Sequence, residues 1–334
     1  MSISINRRNV LQGAAAFAGT SLLGDLHAQT AKEHWPSKPI KLVVPFNAGG
    51  ATDILARAFG EGLSKRVGQP VLIDNRLGGS GIVGTEAVVK SPADGQTLLM
   101  SLSSSMLAFQ YLYTKLPYNP QKDIALVTQV CSAPVVLAVH PSVPVSNMKE
   151  LIAYCKANKG KLSFGSYGVG SYAHLAGAYL SKTTDSDITH AAYKGESQMI
   201  QELIGGQFQF GFLSAQNVKP FADSGRVKAI GVTGRHRMQV MPNVPTIYEQ
   251  GVQDDAYSLV GWIAMGAPAG VSKEIIAQLY GHMLEVSKDP KVQERITTAG
   301  FTPMMSSPEQ FRENYLRDMP VWKSMVETAG AKLD

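Results

Sequence analysis

The chain has 334 residues, of which 44% are hydrophobic and 17% are charged, so it can build one large core or two ordinary ones and is not expected to be disordered. Its net charge of +5 comes from scattered Lys and Arg residues, and the lack of a basic run argues against nucleic-acid binding. The two cysteines, Cys131 and Cys155, have neither CxxC nor metal-ligand spacing. We expect both to be small buried hydrophobic residues, although export would permit a disulfide between them.

The first 28 residues have the pattern of an export signal. Arg7 and Arg8 precede a mildly apolar stretch at residues 14–23, and Leu26-His27-Ala28 then ends on a small residue. This order predicts a signal peptide over residues 1–28, and the paired arginines favour the twin-arginine (Tat) route over an ordinary Sec signal. The apolar stretch is too short to span a bilayer comfortably, so we expect the mature protein in the periplasm.

From Pro39 onward, short β-rich runs alternate with helical patterns, which predicts an α/β fold with mostly parallel sheets. The apolar run at residues 124–140 is too long for one ordinary strand, so we expect it to cross from one lobe to another. A second apolar run, at residues 259–267, is expected to return to the first lobe. The predicted domains are the signal peptide at residues 1–28, the first lobe at 36–137, the second lobe at 138–258 and the returning part of the first lobe at 259–334. The predicted strands are at residues 40–45, 71–74, 97–101, 161–165, 188–193, 208–213 and 227–232.

Two predicted strand–loop–helix units, at residues 44–54 and 164–175, each place a glycine-rich loop directly before a helix. Thr52 and Ser171 are expected near the two N-caps. Free backbone N–H groups and the positive end of a helix bind an anion without a full positive charge. Ligands of open α/β sheets bind beyond the carboxyl ends of the strands, so two such loops facing one cleft fit a molecule with one or two carboxylates. Either loop alone is as readily a simple turn, and the matching pair favours a binding site.

Several side chains near these loops are candidates for further contacts. Ser103, Ser104 and Ser166 would supply hydroxyl donors. His174 is the one histidine that we place near the cleft, although a lone histidine is more often a structural hydrogen-bonding group. Asp53 is expected in a first helical turn from the helix dipole alone, and it could also reach a ligand through water.

The motifs that would indicate an enzyme or a cofactor are weak or missing. Residues 168–173 have GxGxxA spacing, but the next predicted strand ends in Tyr193-Lys194-Gly195 without the acid that a dinucleotide ribose needs. No GxSxG, HExxH, P-loop or EF-hand pattern is present, and the seven histidines are widely separated, so we expect no cofactor and no metal. An exported α/β hydrolase or lyase that uses His174 and a serine on a carboxylate substrate stays the alternative, because sequence does not exclude a base–nucleophile pair within hydrogen-bond reach.

Segments spread in order over nearly all of the mature chain carry a family resemblance. They are residues 44–53 (VPFNAGGATD), 74–76 (DNR), 116–120 (LPYNP), 164–171 (FGSYGVGS) with His174, 192–195 (AYKG), 243–246 (NVPT) and 267–270 (APAG). In these segments the sequence resembles the Bug family, the TctC-like substrate-binding receptors of tripartite tricarboxylate transporters.

The resemblance implies a type II periplasmic binding protein in which two α/β lobes, joined by two crossing strands, close like a Venus flytrap. It implies a small carboxylate ligand (a di- or tricarboxylate or an aromatic carboxylate), an integral membrane permease as partner and no catalytic residue. We expect a monomer, and a sensor of the same fold is a third interpretation. Many family members carry an Asp after the strand at 208–213, where this chain has Ser214-Ala215-Gln216, and this difference argues against an amino-acid ligand. The expected ligand-binding residues are Phe46, Ala48, Gly49, Gly50, Thr52, Asp53, Ser103, Ser104, Ser166, Gly170, Ser171, His174, Tyr193, Lys194, Gly195 and Ser214.

Overall fold

The computed structural model describes residues 35–334, and the predicted signal peptide lies outside the described residues. Both sheets belong to one compact unit, Lys38–Asp334. The strands are β1 (Ile40–Val44), β2 (Val71–Asn75), β3 (Thr97–Leu102), β4 (Ile124–Ala133), β5 (Val136–Val139), β6 (Ser163–Ser166), β7 (Thr189–Ala192), β8 (Phe210–Leu213), β9 (Lys228–Val232), β10 (Gly261–Pro268) and β11 (Thr302–Pro303). The α-helices are α1 (Ala51–Val67), α2 (Ile82–Val89), α3 (Phe109–Leu112), α4 (Pro120–Asp123), α5 (Met148–Ala157), α6 (Tyr172–Thr183), α7 (Glu196–Ile204), α8 (Ala215–Asp223), α9 (Asp255–Ser258), α10 (Lys273–Val286), α11 (Pro290–Thr298) and α12 (Pro308–Ala329).

The strands form two mixed sheets, one for each lobe. The six-stranded sheet of the first lobe has the order β11-β4-β10-β3-β1-β2, and the five-stranded sheet of the second lobe has the order β7-β6-β8-β5-β9. Strand β1 pairs in parallel with β2 and β3, and β6 pairs in parallel with β7 and β8. The carboxyl ends of each parallel trio therefore lie at one edge of their sheet, which is where the loops of an α/β fold bind ligands.

The chain crosses between the sheets twice. The long apolar run at 124–140 contains both β4, in the first sheet, and β5, in the second, so the crossing at Pro134 and Val135 confirms the expectation for this run. The chain returns between α9 and β10. The backbone N–H of Val135 donates to Thr233 Oγ1 at 3.0 Å, and the N–H of Thr233 donates back to the Val135 carbonyl at 3.0 Å. The predicted two-lobed α/β architecture is therefore confirmed, while the predicted domain bounds stay predictions.

Helix α12, at the end of the chain, packs on α6 of the second lobe. Trp322 is fully buried, and its ring meets Tyr172 edge-on with centroids 6.0 Å apart. The Tyr172 hydroxyl donates to the Ala256 carbonyl at 2.8 Å, which ties the start of α6 to α9. Truncating a buried aromatic residue costs about 3–5 kcal/mol, so we expect the packing of Trp322 on Tyr172 to stabilise the start of α6.

The two cysteines are both buried and free, as expected. Cys131 lies in β4 and Cys155 in α5, so they belong to different lobes. Burial raises the pKa of the Cys155 thiol to about 12, which keeps it protonated and unreactive. Within residues 35–334, no helix is both long and apolar enough for a membrane span.

Candidate functional site

The first-lobe wall of the cleft is built at the carboxyl ends of β1, β2 and β3. The loop after β1, the glycine-rich turn after β2 and the serine turn after β3 converge there. A Cβ atom placed on Gly81 would lie 3.4 Å from the Phe46 ring and 3.5 Å from Ser105 Cβ. The three loops therefore come together at Gly81, with Phe46 on one side and the turn that contains Ser103, Ser104 and Ser105 on the other.

Helix α1 begins at this wall without a side-chain cap. Its N-cap is Gly50, whose φ of −74° and ψ of 164° are extended, and Thr52 is the buried second residue of the helix rather than the N-cap. Thr52 therefore lies near the N-cap, as expected, and the N-cap position itself is taken by a glycine, which is also accepted there. The backbone N–H groups of Ala51, Thr52 and Asp53 have no acceptor within residues 35–334. Unpaired donors at a positive helix end can bind an anion.

Asp53 holds the loop that precedes α1. The carboxylate accepts from the Gly49 N–H at 2.9 Å, from Asn75 Nδ2 at 2.9 Å and from Arg57 Nε and Nη2 at 2.9 and 3.0 Å. Burial alone would raise the pKa of Asp53, but the hydrogen bonds from Arg57, Gly49 and Asn75 outweigh it, so the pKa lies below its ordinary value. Asn75 Nδ2 also donates to the Phe46 carbonyl at 3.0 Å. Asp53 thus holds Gly49 and the loop around it in position through these hydrogen bonds.

The serine turn after β3 starts with an unusual backbone. Ser104–Ala108 form a π-helical turn, a feature that is frequent at functional sites. Ser103 Oγ accepts from the Trp262 N–H at 3.4 Å, and the Ser101 and Ser105 hydroxyls lie 2.6 Å apart. The Ser104 hydroxyl has no partner within the described range, so it is the one among these serines that stays available for a ligand.

The loop after β6 is satisfied by its own side chains. Ser171 is the N-cap of α6, as predicted, and its hydroxyl accepts from the His174 N–H at 3.3 Å. His174 Nδ1 accepts from the Gly170 N–H at 3.1 Å. Ser166 is fully buried, and its hydroxyl lies 3.1 Å from the Gly168 carbonyl. The second loop therefore has acceptors for the Gly170 N–H and for the His174 N–H in the first turn of α6.

A second histidine, His190 in β7, stands beside His174 and was missed by the sequence analysis. Their ring centroids are 4.2 Å apart, and His190 Nε2 lies 2.7 Å from Ser166 Oγ. Burial lowers the pKa of His174, and burial together with the neighbouring His174 lowers the pKa of His190 to about 4. Both rings are therefore neutral near pH 7. In this loop the serine in contact with a histidine ring is Ser166, and its buried hydroxyl supports the loop.

The second loop touches the first lobe across the cleft. A Cβ atom on Gly168 would lie 3.3 Å from Ser80 Oγ, and one on Gly170 would lie 2.5 Å from Leu112 Cδ2 in α3. Gly170 also has a φ of +80°, a left-handed conformation that favours glycine. Since Ser80 precedes Gly81, which contacts Phe46, the two loops predicted from the sequence are brought to the same cleft.

The loop after β7 completes the second-lobe wall. The Tyr193 N–H donates to the Ser166 carbonyl at 2.9 Å, and the half-buried Tyr193 ring packs 5.5 Å from Phe208. Lys194 is exposed, and its amine has no acidic partner among the described residues. Gly195 is the N-cap of α7, and because it has no side chain it accepts no hydrogen bond from the first N–H groups of that helix.

Glu196, the first residue of α7, directly follows the loop after β7, and it was not among the residues predicted from the sequence. Its carboxylate accepts from the Ser214 N–H at 3.2 Å, from the Ser214 hydroxyl and from Asn217 Nδ2 at 2.6 Å. Ser214, expected to contact a ligand, thus directs its hydroxyl to Glu196. Burial raises the pKa of Glu196, and hydrogen bonds from Ser214 and Asn217 partly oppose that rise. The carboxylate is also close enough to Tyr167 to add to the rise that burial causes in the pKa of the phenol.

Comparison with known proteins agrees with this geometry. The sequence profile of the TctC family, the tripartite tricarboxylate transporter family receptor, matches residues 55–330. Protein BugT of Bordetella pertussis is 34% identical over 307 residues, which cover 92% of this chain and 94% of BugT. The structure of R. palustris Rpa4515 with adipate is 30% identical, covers 89% of this chain and 98% of its own, and superposes with a TM-score of 0.80. The structure of MatC from Rhodopseudomonas palustris with bound malate is 27% identical, covers 87% of this chain and 100% of its own, and has a TM-score of 0.78.

Three features now agree: the two-lobed α/β fold, the two loops at one cleft and the sequence similarity over nearly the whole chain. The Bug resemblance seen in the sequence is confirmed, and the family and its structural neighbours are periplasmic substrate-binding proteins rather than enzymes. Within residues 35–334, no cluster of His, Cys, Asp and Glu is suited to a metal ion. The chain belongs to the tripartite tricarboxylate transporter receptor family, the TctC family.

Proposed function

We propose that the chain captures a small organic carboxylate between its lobes and delivers it to the integral membrane permease of a tripartite tricarboxylate transporter. The observation that carries this proposal is the uncapped start of α1, where the N–H groups of Ala51, Thr52 and Asp53 face no protein acceptor within the described residues. A ligand carboxylate placed there would accept charge-assisted hydrogen bonds and interact with the positive end of the helix. The adipate of Rpa4515 and the malate of MatC are ligands of this chemistry.

In this proposal the other predicted site residues either line the cleft or hold its loops in place. Phe46, Ala48, Gly49 and Gly50 shape the first loop, and the free hydroxyl of Ser104 adds a donor. Gly170, Ser171 and His174 hold the second loop in the conformation that meets the first lobe, and Ser103 and Ser166 support the two walls. Tyr193, Lys194 and Gly195 line the far side.

Export and closure complete the proposal. The twin-arginine pattern in residues 1–28 would deliver the folded protein to the periplasm by the Tat route. We propose a monomer whose lobes move together on binding, with the crossings at Val135 and before β10 as hinges. Small-angle scattering that shows no compaction with a bound ligand would contradict the closure.

The test removes one backbone donor while keeping the fold. Ala51 is the first helical residue, and Gly50 before it has the extended conformation that a following proline requires. Ala51→Pro therefore deletes an N–H group at a position where proline is favoured. Lys273→Pro is the matched control, since Lys273 is the first residue of α10 and follows the extended N-cap Ser272.

The mature protein is first unfolded, dialysed and refolded to remove any co-purified ligand, and its melting temperature is then measured against a panel of carboxylates. Binding to the native state alone raises the melting temperature. We expect a shift with at least one carboxylate, which is recovered unchanged, and calorimetry should show its affinity reduced about tenfold or more by Ala51→Pro but not by Lys273→Pro. A panel without any shift, or equal effects of the two proline variants, would contradict the proposal.

A further inference from the structure

The helix starts of the two lobes differ in their unpaired backbone N–H groups. In the first lobe, α1 has a glycine N-cap and unpaired N–H groups. In the second lobe, the start of α8 already has an anion of the protein, because the Glu196 carboxylate accepts from the N–H of Ser214, the N-cap of α8. Three N–H groups thus remain unpaired at the start of α1, whereas Glu196 takes a donor at the start of α8.

The Glu196 carboxylate is fixed in position but retains hydrogen-bonding capacity. Its Oε2 accepts from the Ser214 hydroxyl and from Asn217 Nδ2 at 2.6 Å, whereas Oε1 accepts only from the Ser214 N–H at 3.2 Å. A carboxylate oxygen can accept two hydrogen bonds, so Oε1 can accept one more. Glu196 is half-buried, so part of this residue remains exposed to solvent.

The position of Glu196 follows from the sheet. Strands β7, β6 and β8 are parallel neighbours, so the loops after them share one edge. Glu196 follows β7 and Ser214 follows β8, and their contact therefore spans the end of β6, where the second loop begins. The nearest cation in sequence, Lys194, is exposed, and water and salt screen its charge.

We propose that Glu196 makes the cleft select a monocarboxylate whose far end carries a hydrogen-bond donor, either a hydroxyl or an ammonium group, and reject a second carboxylate at that end. This inference rests on the proposed function, in which α1 takes the ligand carboxylate. The donor would bind Glu196 Oε1, whereas a second carboxylate has no proton to donate to that oxygen. The presence of Ser214 instead of the family's Asp argued against an amino-acid ligand. Glu196 revises that argument, because its carboxyl group contacts Ser214 and would be a suitable partner for an amino group.

The test compares ligands of equal length that differ only at the far end. Calorimetry at pH 8 would measure adipate, 6-hydroxyhexanoate and 6-aminohexanoate, with succinate and 4-hydroxybutanoate as a shorter pair, on the refolded mature protein. We expect the hydroxy or amino acid to bind at least about tenfold tighter than the diacid of the same length. Glu196→Gln keeps an acceptor for Ser214 and adds an amide donor, so we expect it to reduce this preference about tenfold or more. Glu202→Gln on the same helix is the matched control, and it should leave the preference unchanged.

The outcomes separate the two proposals. A wild-type protein that binds the diacid as tightly as its hydroxy analogue, or a preference that Glu196→Gln leaves intact, would overturn the role of Glu196 while a carboxylate receptor remains. The wild-type ratio alone decides the point should Glu196→Gln fail to fold. A protein that binds none of the probes and none of the wider carboxylate panel would overturn the proposed function, and the inference with it.

Discussion

Replacing Asp53 by Asn tests whether the first binding loop depends on a buried carboxylate. Asp53 is 1% exposed and accepts hydrogen bonds from Gly49, Arg57 and Asn75. The Arg57 side chain is 54% exposed, so water screens that ion pair and we assign little stability to it. The contributions that matter are then the Gly49 and Asn75 hydrogen bonds, both at 2.9 Å.

A hydrogen bond to a charged group contributes about 1.5–3 kcal/mol net. Asparagine keeps one acceptor oxygen but turns an amide toward the other donor, so one of the two bonds is lost and its partner is left without an acceptor. We expect Asp53→Asn to lower the free energy of unfolding by about 2–4 kcal/mol. Because Gly49 belongs to the loop before α1, we also expect the affinity for a carboxylate to fall about tenfold or more.

Glu61→Gln is the matched control on the same helix. Glu61 also pairs with a base four residues later, Lys65 at 2.7 Å, but both side chains are more than two-thirds exposed, at 71% and 73%. Urea denaturation should therefore show little or no loss of stability for this variant. Because the folded pKa of Asp53 is lowered, its contribution is present above the unfolded pKa and is lost as the pH falls, so the Asp53→Asn deficit should shrink below about pH 4. Equal deficits for the two variants would refute the role given to Asp53.

Three further predictions concern the second loop. Gly170→Ala and Gly49→Ala both place a Cβ atom on a residue whose φ is +80°, which costs about 1–2 kcal/mol. Only the new Cβ atom of Gly170→Ala also clashes with α3. The melting temperature of this variant should therefore fall further, by the equivalent of about 1–3 kcal/mol. Ser171→Ala and Ser272→Ala each remove an N-cap worth about 1 kcal/mol, and calorimetry should show weaker carboxylate binding for Ser171→Ala alone. The pKa of His190 is lowered to about 4 in the folded protein, so as the pH falls this histidine is protonated in the unfolded chain first. The stability of the wild-type protein should therefore fall between about pH 6.5 and pH 4, by up to about 3 kcal/mol. Urea titrations of His190→Gln, which lacks this effect, provide the reference. Equal losses of stability in the two glycine variants, or equal losses of affinity in the two serine variants, would contradict the role given to Gly170 or Ser171. Parallel pH profiles of the wild-type protein and His190→Gln would contradict the lowered pKa of His190.

The fold could be predicted from the sequence because its signals are local. The alternation of β-rich and amphipathic segments predicted the α/β class, and the length of the apolar run at 124–140 predicted a crossing between lobes that β4 and β5 confirm. The N-cap at Ser171 was equally local, since a hydroxyl before an apolar helical stretch has a direct physical reason to be there. Thr52 lies near the start of α1, as predicted, and Gly50, two residues earlier, is the N-cap itself.

The polar contacts of the site could not be predicted, because they depend on which strands are neighbours. The pairing of β6 with β7 sets Phe164 opposite His190, and that register places the His190 ring within reach of Ser166. Glu196 reaches Ser214 only because β7 and β8 flank β6 on either side.

The same topology explains why the two loops look equivalent in the sequence and differ in the structure. Both loops follow a parallel strand and precede a helix, so each would expose N–H groups if it stood alone. The neighbours decide the outcome: Asp53 draws Gly49 toward the first sheet and leaves the start of α1 open, whereas Ser171 and His174 satisfy donors of the second loop and Glu196 occupies the adjacent start of α8. This difference is the reason that the proposed function assigns the ligand carboxylate to the first lobe and the rest of the ligand to the second.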